Sequence, residues 1–244
     1  ADYYRASGAA LTIDRRWSWL RGRIGVGFED HTSVERNTDF AIPDIWQDSV
    51  FQLNPPADEG TFWRGDAEAI IYIGASTRPT DARAQLTLGI ELGSGADSLD
   101  YVQARAGLEG KFDLWDLASL ALVARGGWSG GDLPLQRLWR IGGIETLRGF
   151  THGTLAGESY WTGRIELAPV RPIWRTIVGD WRAVVFGDFG WAGDRSNWPG
   201  GGSSDDVLWS VGTGVSLLNG FFRAEFVFPE LEEVRFEMHF AGAL

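Results

Sequence analysis

The 244-residue chain has no cysteine, one lysine (Lys111), one methionine and three histidines, His31, His152 and His239. Without cysteine there are no disulfides, no thiolate catalysis and no cysteine-bound metal. The histidines are scattered, and no phosphate loop, metal signature or cofactor fingerprint lies near them. No catalytic residue, metal or cofactor is therefore expected. No apolar run approaches the roughly 18 residues of a transmembrane helix. Cations are scarce: 22 Lys and Arg face 33 Asp and Glu, a net charge of −11. That balance argues against a nucleic-acid partner, because phosphate binding needs a basic patch. Helical periodicity is also missing, the best helical candidate being a short turn within 169–180.

What the chain does have is a period of two. Ala82, Ala84, Leu86, Leu88, Ile90 and Leu92 alternate with Arg83, Gln85, Thr87, Gly89 and Glu91. Val102, Ala104, Ala106 and Leu108 alternate with Gln103, Arg105, Gly107 and Glu109, and Phe222, Ala224, Phe226 and Phe228 with Arg223, Glu225 and Val227. Each run predicts a strand with one apolar and one polar face. Eleven strands are predicted, at 3–14, 17–30, 62–75, 81–94, 100–113, 117–129, 158–168, 181–192, 207–218, 221–229 and 234–243. Short connections (14–17, 76–80, Asn219-Gly220) alternate with long ones (31–61, 130–157, 193–206), as in an up-and-down meander. No linker interrupts the pattern, so 1–244 reads as one domain.

Two architectures give strands of this kind. A soluble, tryptophan-rich β-sandwich that binds carbohydrate would set the polar faces in water. A transmembrane barrel sets the apolar faces in lipid and encloses a polar, glycine-rich lumen of mixed charge. The polar faces carry Arg, Glu and Gly in phase, as in Arg23, Gly25, Gly27 and Glu29, and again Gly212 and Gly214. Trp17, Trp19, Trp63, Trp115, Trp128, Trp161, Trp181 and Trp191 fall at or near strand ends, where headgroup-level girdles would lie. Both features favour the barrel, with the lipid bilayer as its partner.

One stretch, "IGGIETLRGF" at 141–150, is out of character: Gly142 and Gly143, then Arg148, Gly149 and Phe150 within the long 130–157 connection. Downstream, "FGDFG" places Phe186, Asp188 and Gly190 on one strand face, Glu166 lies in "TGRIELAP", and five strands close the chain. Together these resemble the BamA, TamA and FhaC-type outer-membrane barrels, also called the bacterial surface antigen family, over roughly residues 80–244. The resemblance implies a lid loop folded into the lumen of a bacterial outer-membrane barrel. It also implies insertion or export of unfolded client polypeptides, with periplasmic POTRA domains at the N-terminus of complete members. No POTRA domain is read within this chain.

The chemistry of the loop stands beside the resemblance. An arginine carried into a narrow lumen needs carboxylate partners, and its fork takes them bidentately. Arg148 is thus expected to bond Asp188, Glu166 or both. Gly149 would make a turn closed to side chains, and Gly142 with Gly143 would let the stem bend at the barrel mouth. An ordinary surface turn with a solvated arginine is the competing reading.

"GWSGG" at 127–131 mimics a nucleophile elbow but lacks the strand-to-helix turn that motif requires. His152 reads as a loop histidine, His239 as a lumenal or solvated one. Glu232-Glu233 and Asp205-Asp206 read as solvated acidic loops. Eleven is an odd count, whereas single-chain bacterial barrels have even counts. Either a strand lies within 38–53 or strands precede Ala1, giving a reduced barrel of about twelve strands or part of a sixteen-stranded one. Leu244 ends the chain where the family usually has an aromatic residue. The leading expectation is an insertase or translocator barrel. The alternative of another class is a passive anchor or pore for an attached effector, such as a patatin-like domain.

Overall fold

The computed structural model describes residues 4–34, 57–74, 83–95, 100–115, 117–177, 179–193, 206–217 and 221–240. In chain order the strands are β1 (Tyr4–Arg16), β2 (Leu20–Ser33), β3 (Gly60–Ile73), β4 (Ala84–Gly95), β5 (Tyr101–Leu114), β6 (Ala118–Gly131), β7 (Trp139–Ile141), β8 (Leu155–Gly157), β9 (Ser159–Pro169), β10 (Trp174–Thr176), β11 (Gly179–Gly193), β12 (Leu208–Leu217), β13 (Phe222–Pro229) and β14 (Arg235–Phe240). The eleven long predicted strands form one antiparallel meander in the order β1-β2-β3-β4-β5-β6-β9-β11-β12-β13-β14. The helical candidate within 169–180 is corrected: its residues 174–176 are β10, a three-residue extension paired with the start of β11. β7 and β8 form a separate two-stranded ribbon inside the 130–157 connection. The proposed strand within 38–53, the turn at 76–80, Asn219-Gly220, Asp205 and Leu244 lie outside the described residues.

The register sorts the side chains as the alternation predicts. Thr87, Gly89 and Glu91 of β4 stand opposite Gly107, Arg105 and Gln103 of β5 on one face. On the other face Leu88, Ile90, Leu108, Phe226 and Phe236 are between 44% and 55% exposed. A soluble fold would bury such residues against a second layer, and here a single continuous sheet presents them outward. That excludes the two-sheet sandwich and fits a surface solvated by hydrocarbon. Exposed tryptophans lie at both ends of the strands: Trp17, Trp19 and Trp115 at the short turns, Trp63, Trp128 and Trp161 toward the long loops. From Ala118 to Trp128 is ten residue steps of β6, about 33 Å of strand, or about 25 Å along the bilayer normal at the usual tilt. That matches the height of an apolar band.

The polar face is held by ion pairs between strands: Arg64 of β3 with Glu29 of β2 at 3.1 Å, Arg125 of β6 with Glu109 of β5 at 2.5 Å and, reaching across β4, Arg105 of β5 with Glu68 of β3 at 2.7 Å. β2 and β13 are eight strand spacings apart in the sheet, roughly 40 Å if it lay flat. One loop nevertheless touches both, through Arg137 to Glu29 and Arg148 to Glu225. The sheet therefore curls around that loop as a partial barrel, polar face inward. Among the described residues β1 and β14 do not pair with each other.

Candidate functional site

The 130–157 connection turns inward because its tip is built of residues that tolerate left-handed backbone. Gly142, Gly143 and Gly149 have φ of +121°, +84° and +82°. A side chain at Gly142 would strike the carbonyl oxygen of Thr151. Between these glycines the chain closes a tight turn. The Leu147 N–H donates to the Gly143 carbonyl at 2.9 Å, and Thr146 Oγ1 accepts from Gly142 N at 2.8 Å while donating to the Gly142 carbonyl at 2.9 Å. Gly143 N donates to the Phe150 carbonyl at 2.8 Å, so Phe150, itself half-buried, helps shut the turn through its backbone. The β7–β8 ribbon carries this tip, and its Ile141 is fully buried beside Leu155 and Ala192. Ile141 packs over Gly190 of β11, where a Cβ would come within 3.1 Å of its Cδ1.

The turn delivers Arg148 into the partial barrel at 1% exposure. Asp188, also 1% exposed, meets it with both oxygens. Arg148 Nε donates to Oδ2 at 2.7 Å, Nη2 to Oδ1 at 2.8 Å, and the Arg148 backbone N to Oδ2 at 3.2 Å. Arg148 Nη1 donates to Glu225 of β13 at 3.1 Å and lies 3.5 Å from Glu166 of β9. Phe186, two residues before Asp188, lies beneath the guanidinium, with Arg148 Cζ 3.4 Å from the ring centroid. The ring fits there because the residue opposite on β12 is Gly212, whose missing side chain leaves the space.

Two further arginines balance the acids. Arg164 of β9 donates to Asp188 from Nε at 3.0 Å and to the loop carbonyl of Ile144 from Nη2 at 2.7 Å. Arg223 of β13 pairs with Glu166 and Glu225, each at 2.7 Å. Gly149 N donates to Glu237 of β14 at 2.9 Å, and a Cβ on Gly149 would sit 2.8 Å from Val227 Cγ1. The loop tip is thus held by four strands, β9, β11, β13 and β14. Such a cluster selects one loop position more than it adds stability, because the attraction largely offsets the desolvation of burying charge. A cavity of about 680 Å³ borders the cluster on the inner face, lined in part by Glu145, Arg164, Glu166, Arg223 and His239.

All nine residues singled out from the sequence lie in or around this region. Gly142, Gly143 and Phe150 shape the turn, Arg148 and Gly149 dock, and Glu166, Phe186, Asp188 and Gly190 receive. Glu225, Glu237, Arg164 and Arg223 were not singled out as its partners. Alternation marks Glu225 and Arg223 as inward-facing, but it does not say which inward groups the loop meets. Ser129 of "GWSGG" lies within β6, where its Oγ accepts from Gln103 Nε2 at 3.0 Å and Trp139 Nε1 at 2.8 Å. His152 is exposed in the loop, and His239 lies on the inner face of β14. Glu232 is exposed, and Glu233 pairs with Arg235 at 2.6 Å.

The comparisons with known proteins agree with this fold. A family model described as the Omp85 superfamily domain matches residues 56–230. Among solved structures, BamA from Haemophilus ducreyi lacking POTRA domains 1–3 matches with a TM-score of 0.68 at 17% identity, over 96% of this chain and 53% of that one. CdiB from Acinetobacter baumannii matches with a TM-score of 0.58 at 18% identity, over 93% of this chain and 39% of that one. At these identities the likeness is one of fold, and the chain spans about half the length of the BamA structure. No curated protein matches it in sequence.

Proposed function

The chain belongs to the Omp85 superfamily, and on that footing we propose that it inserts or exports polypeptides at the bacterial outer membrane, with the 130–157 loop as the lid of its lumen. The observation that carries this reading is the docking of Arg148, buried among carboxylates from β9, β11 and β13. A surface turn would leave that arginine hydrated. A lid needs it fixed across the lumen. Gly142, Gly143, Gly149 and Phe150 give the lid its shape, and Phe186, Asp188, Glu166 and Gly190, with Glu225, form its seat.

The chemistry is backbone pairing, without nucleotide or metal. Among the described residues β1 and β14 each pair on one side only. Unpaired N–H and C=O groups cannot face hydrocarbon, so an edge of this kind takes up an incoming strand. The partners are the lipid bilayer, unfolded client chains and an N-terminal periplasmic domain of the POTRA kind. The test reconstitutes the full chain in liposomes and adds an unfolded outer-membrane barrel as client. The client reaches a protease-protected, heat-modifiable state faster than in empty liposomes, and Arg148→Gln lowers the gain. Equal rates with and without the protein overturn the reading and leave the passive anchor.

A further inference from the structure

The loop has a second attachment, toward the other end of the strand order from that of Arg148. After Pro134 the chain makes a 3₁₀ turn at Leu135–Arg137, with Arg137 N bonded to the Pro134 carbonyl at 2.9 Å. Arg137 Nη2 donates to Glu29 of β2 at 2.9 Å, and Nη1 lies 3.6 Å from Glu91 of β4. Both carboxylates are already ordered: Glu29 by Arg64 at 3.1 Å, Glu91 by the Tyr101 hydroxyl at 2.8 Å. The Arg137 carbonyl accepts from Gln103 Nε2 of β5 at 2.9 Å.

Gln136 adds a clasp. Its Oε1 accepts from Asp58 N at 3.0 Å and its Nε2 donates to the Asp58 carbonyl at 2.9 Å, a pairing that fixes which end of the amide is which. The same Nε2 is 2.8 Å from His31 Nδ1, so that nitrogen is the acceptor. His31 Nε2 then carries the proton and donates to Glu29 at 3.0 Å. Leu135 N donates to Asp58 Oδ2 at 2.7 Å, and Leu133 and Leu138 pack with Tyr101 and Ala156 beneath. A solvated loop stem has no need of so complete a set of partners.

We infer that Arg137, seated with Gln136 on β2, β4 and the segment before β3, is a second positioning residue of the lid, which therefore acts as a strap across the lumen. The inference rests on the lid reading above. β2–β4 and β11–β14 share no pairing, and the loop is bonded to both groups. The two ends differ in grip. The Arg148 side chain is 2% exposed with carboxylates at 2.7 and 3.1 Å, whereas that of Arg137 is 18% exposed with carboxylates at 2.9 and 3.6 Å. The Arg137 end is the one that lets go first, leaving the lid hung from Arg148.

The test measures current through the full chain in planar lipid bilayers. Arg148→Gln opens the lumen if the lid reading holds. Arg137→Gln is expected to raise open-state occupancy by roughly tenfold, the worth of a partly buried pair. Gln136→Leu acts in the same direction. Arg105→Gln, which breaks an inner-face pair to Glu68 away from the loop, leaves the occupancy unchanged. Because the chain has no cysteine, Asp58→Cys with Gln136→Cys gives a unique pair for a short bis-maleimide bridge. Bridging is expected to close the Arg137→Gln channel again, a rescue that separates positioning from folding. Arg137→Gln channels as closed as the wild type, beside an open Arg148→Gln, overturn the strap alone. So does failure of the bridge to restore closure. A closed Arg148→Gln overturns the lid reading itself.

Discussion

The coupling between Arg148 and Asp188 is open to a direct thermodynamic test. Three arginines (148, 164, 223) pair with three carboxylates (Glu166, Asp188, Glu225), so the formal charges of these six groups balance, Glu237 being engaged by the Gly149 backbone. Arg148→Met leaves one negative charge in excess, and Asp188→Asn leaves one positive. Removing one partner of a buried pair costs about 3–5 kcal/mol. The lower end applies here, because Arg164 still holds Asp188 and Arg223 still holds Glu225 when Arg148 is lost. Each single variant should therefore weaken loop docking by about 3 kcal/mol, on the order of a hundredfold in the undocked population. The double variant restores neutrality, so its cost should fall short of the sum by about 2 kcal/mol. Cleavage of the 130–157 loop by dilute protease, in the folded chain within liposomes, reads that population directly when reclosing is fast. Single-variant effects that add to within about 0.5 kcal/mol would show that the two residues do not sense each other. The loop would then be held elsewhere than at this cluster.

Two further outcomes follow from the same geometry. Gly149→Ala, at φ +82° with its Cβ 2.8 Å from Val227 Cγ1, should cost about 1–3 kcal/mol of docking and raise loop cleavage without unfolding the sheet; an unchanged cleavage rate would refute it. Ile90→Arg, at an outward position in the middle of β4 that is 47% exposed, should cost about 2–4 kcal/mol in a bilayer. Urea unfolding in liposomes measures that cost, and a negligible change would mean that this face does not meet lipid.

The eleven long strands are legible in the sequence because one physical demand is imposed on every residue. An apolar side chain must face hydrocarbon at every second position, and so the period survives along strands of 6 to 15 residues without help from tertiary contacts. β7, β8 and β10 escape that logic. Each is three residues long, too short to carry a period, and each is a strand only because a partner strand is alongside. Trp174 is extended because it pairs with Trp181, not because of its neighbours in sequence. The same divide runs through the loop cluster. Asp188 and Glu166 can be read as inward from their own strands, as Glu225 can from the alternation of Phe222, Ala224 and Phe226. Which of them an arginine some 20 to 80 positions away will meet depends on register and curl, and neither is written locally. Glu29 makes the case from the other side. It reads as one more inward carboxylate of β2, yet it is shared among His31, Arg64 and Arg137, the last of them 108 positions along the chain. Alternation fixes the face a charge occupies. The curl of the sheet then decides its partner, and for Arg137 and Arg148 those partners stand on groups of strands that share no pairing.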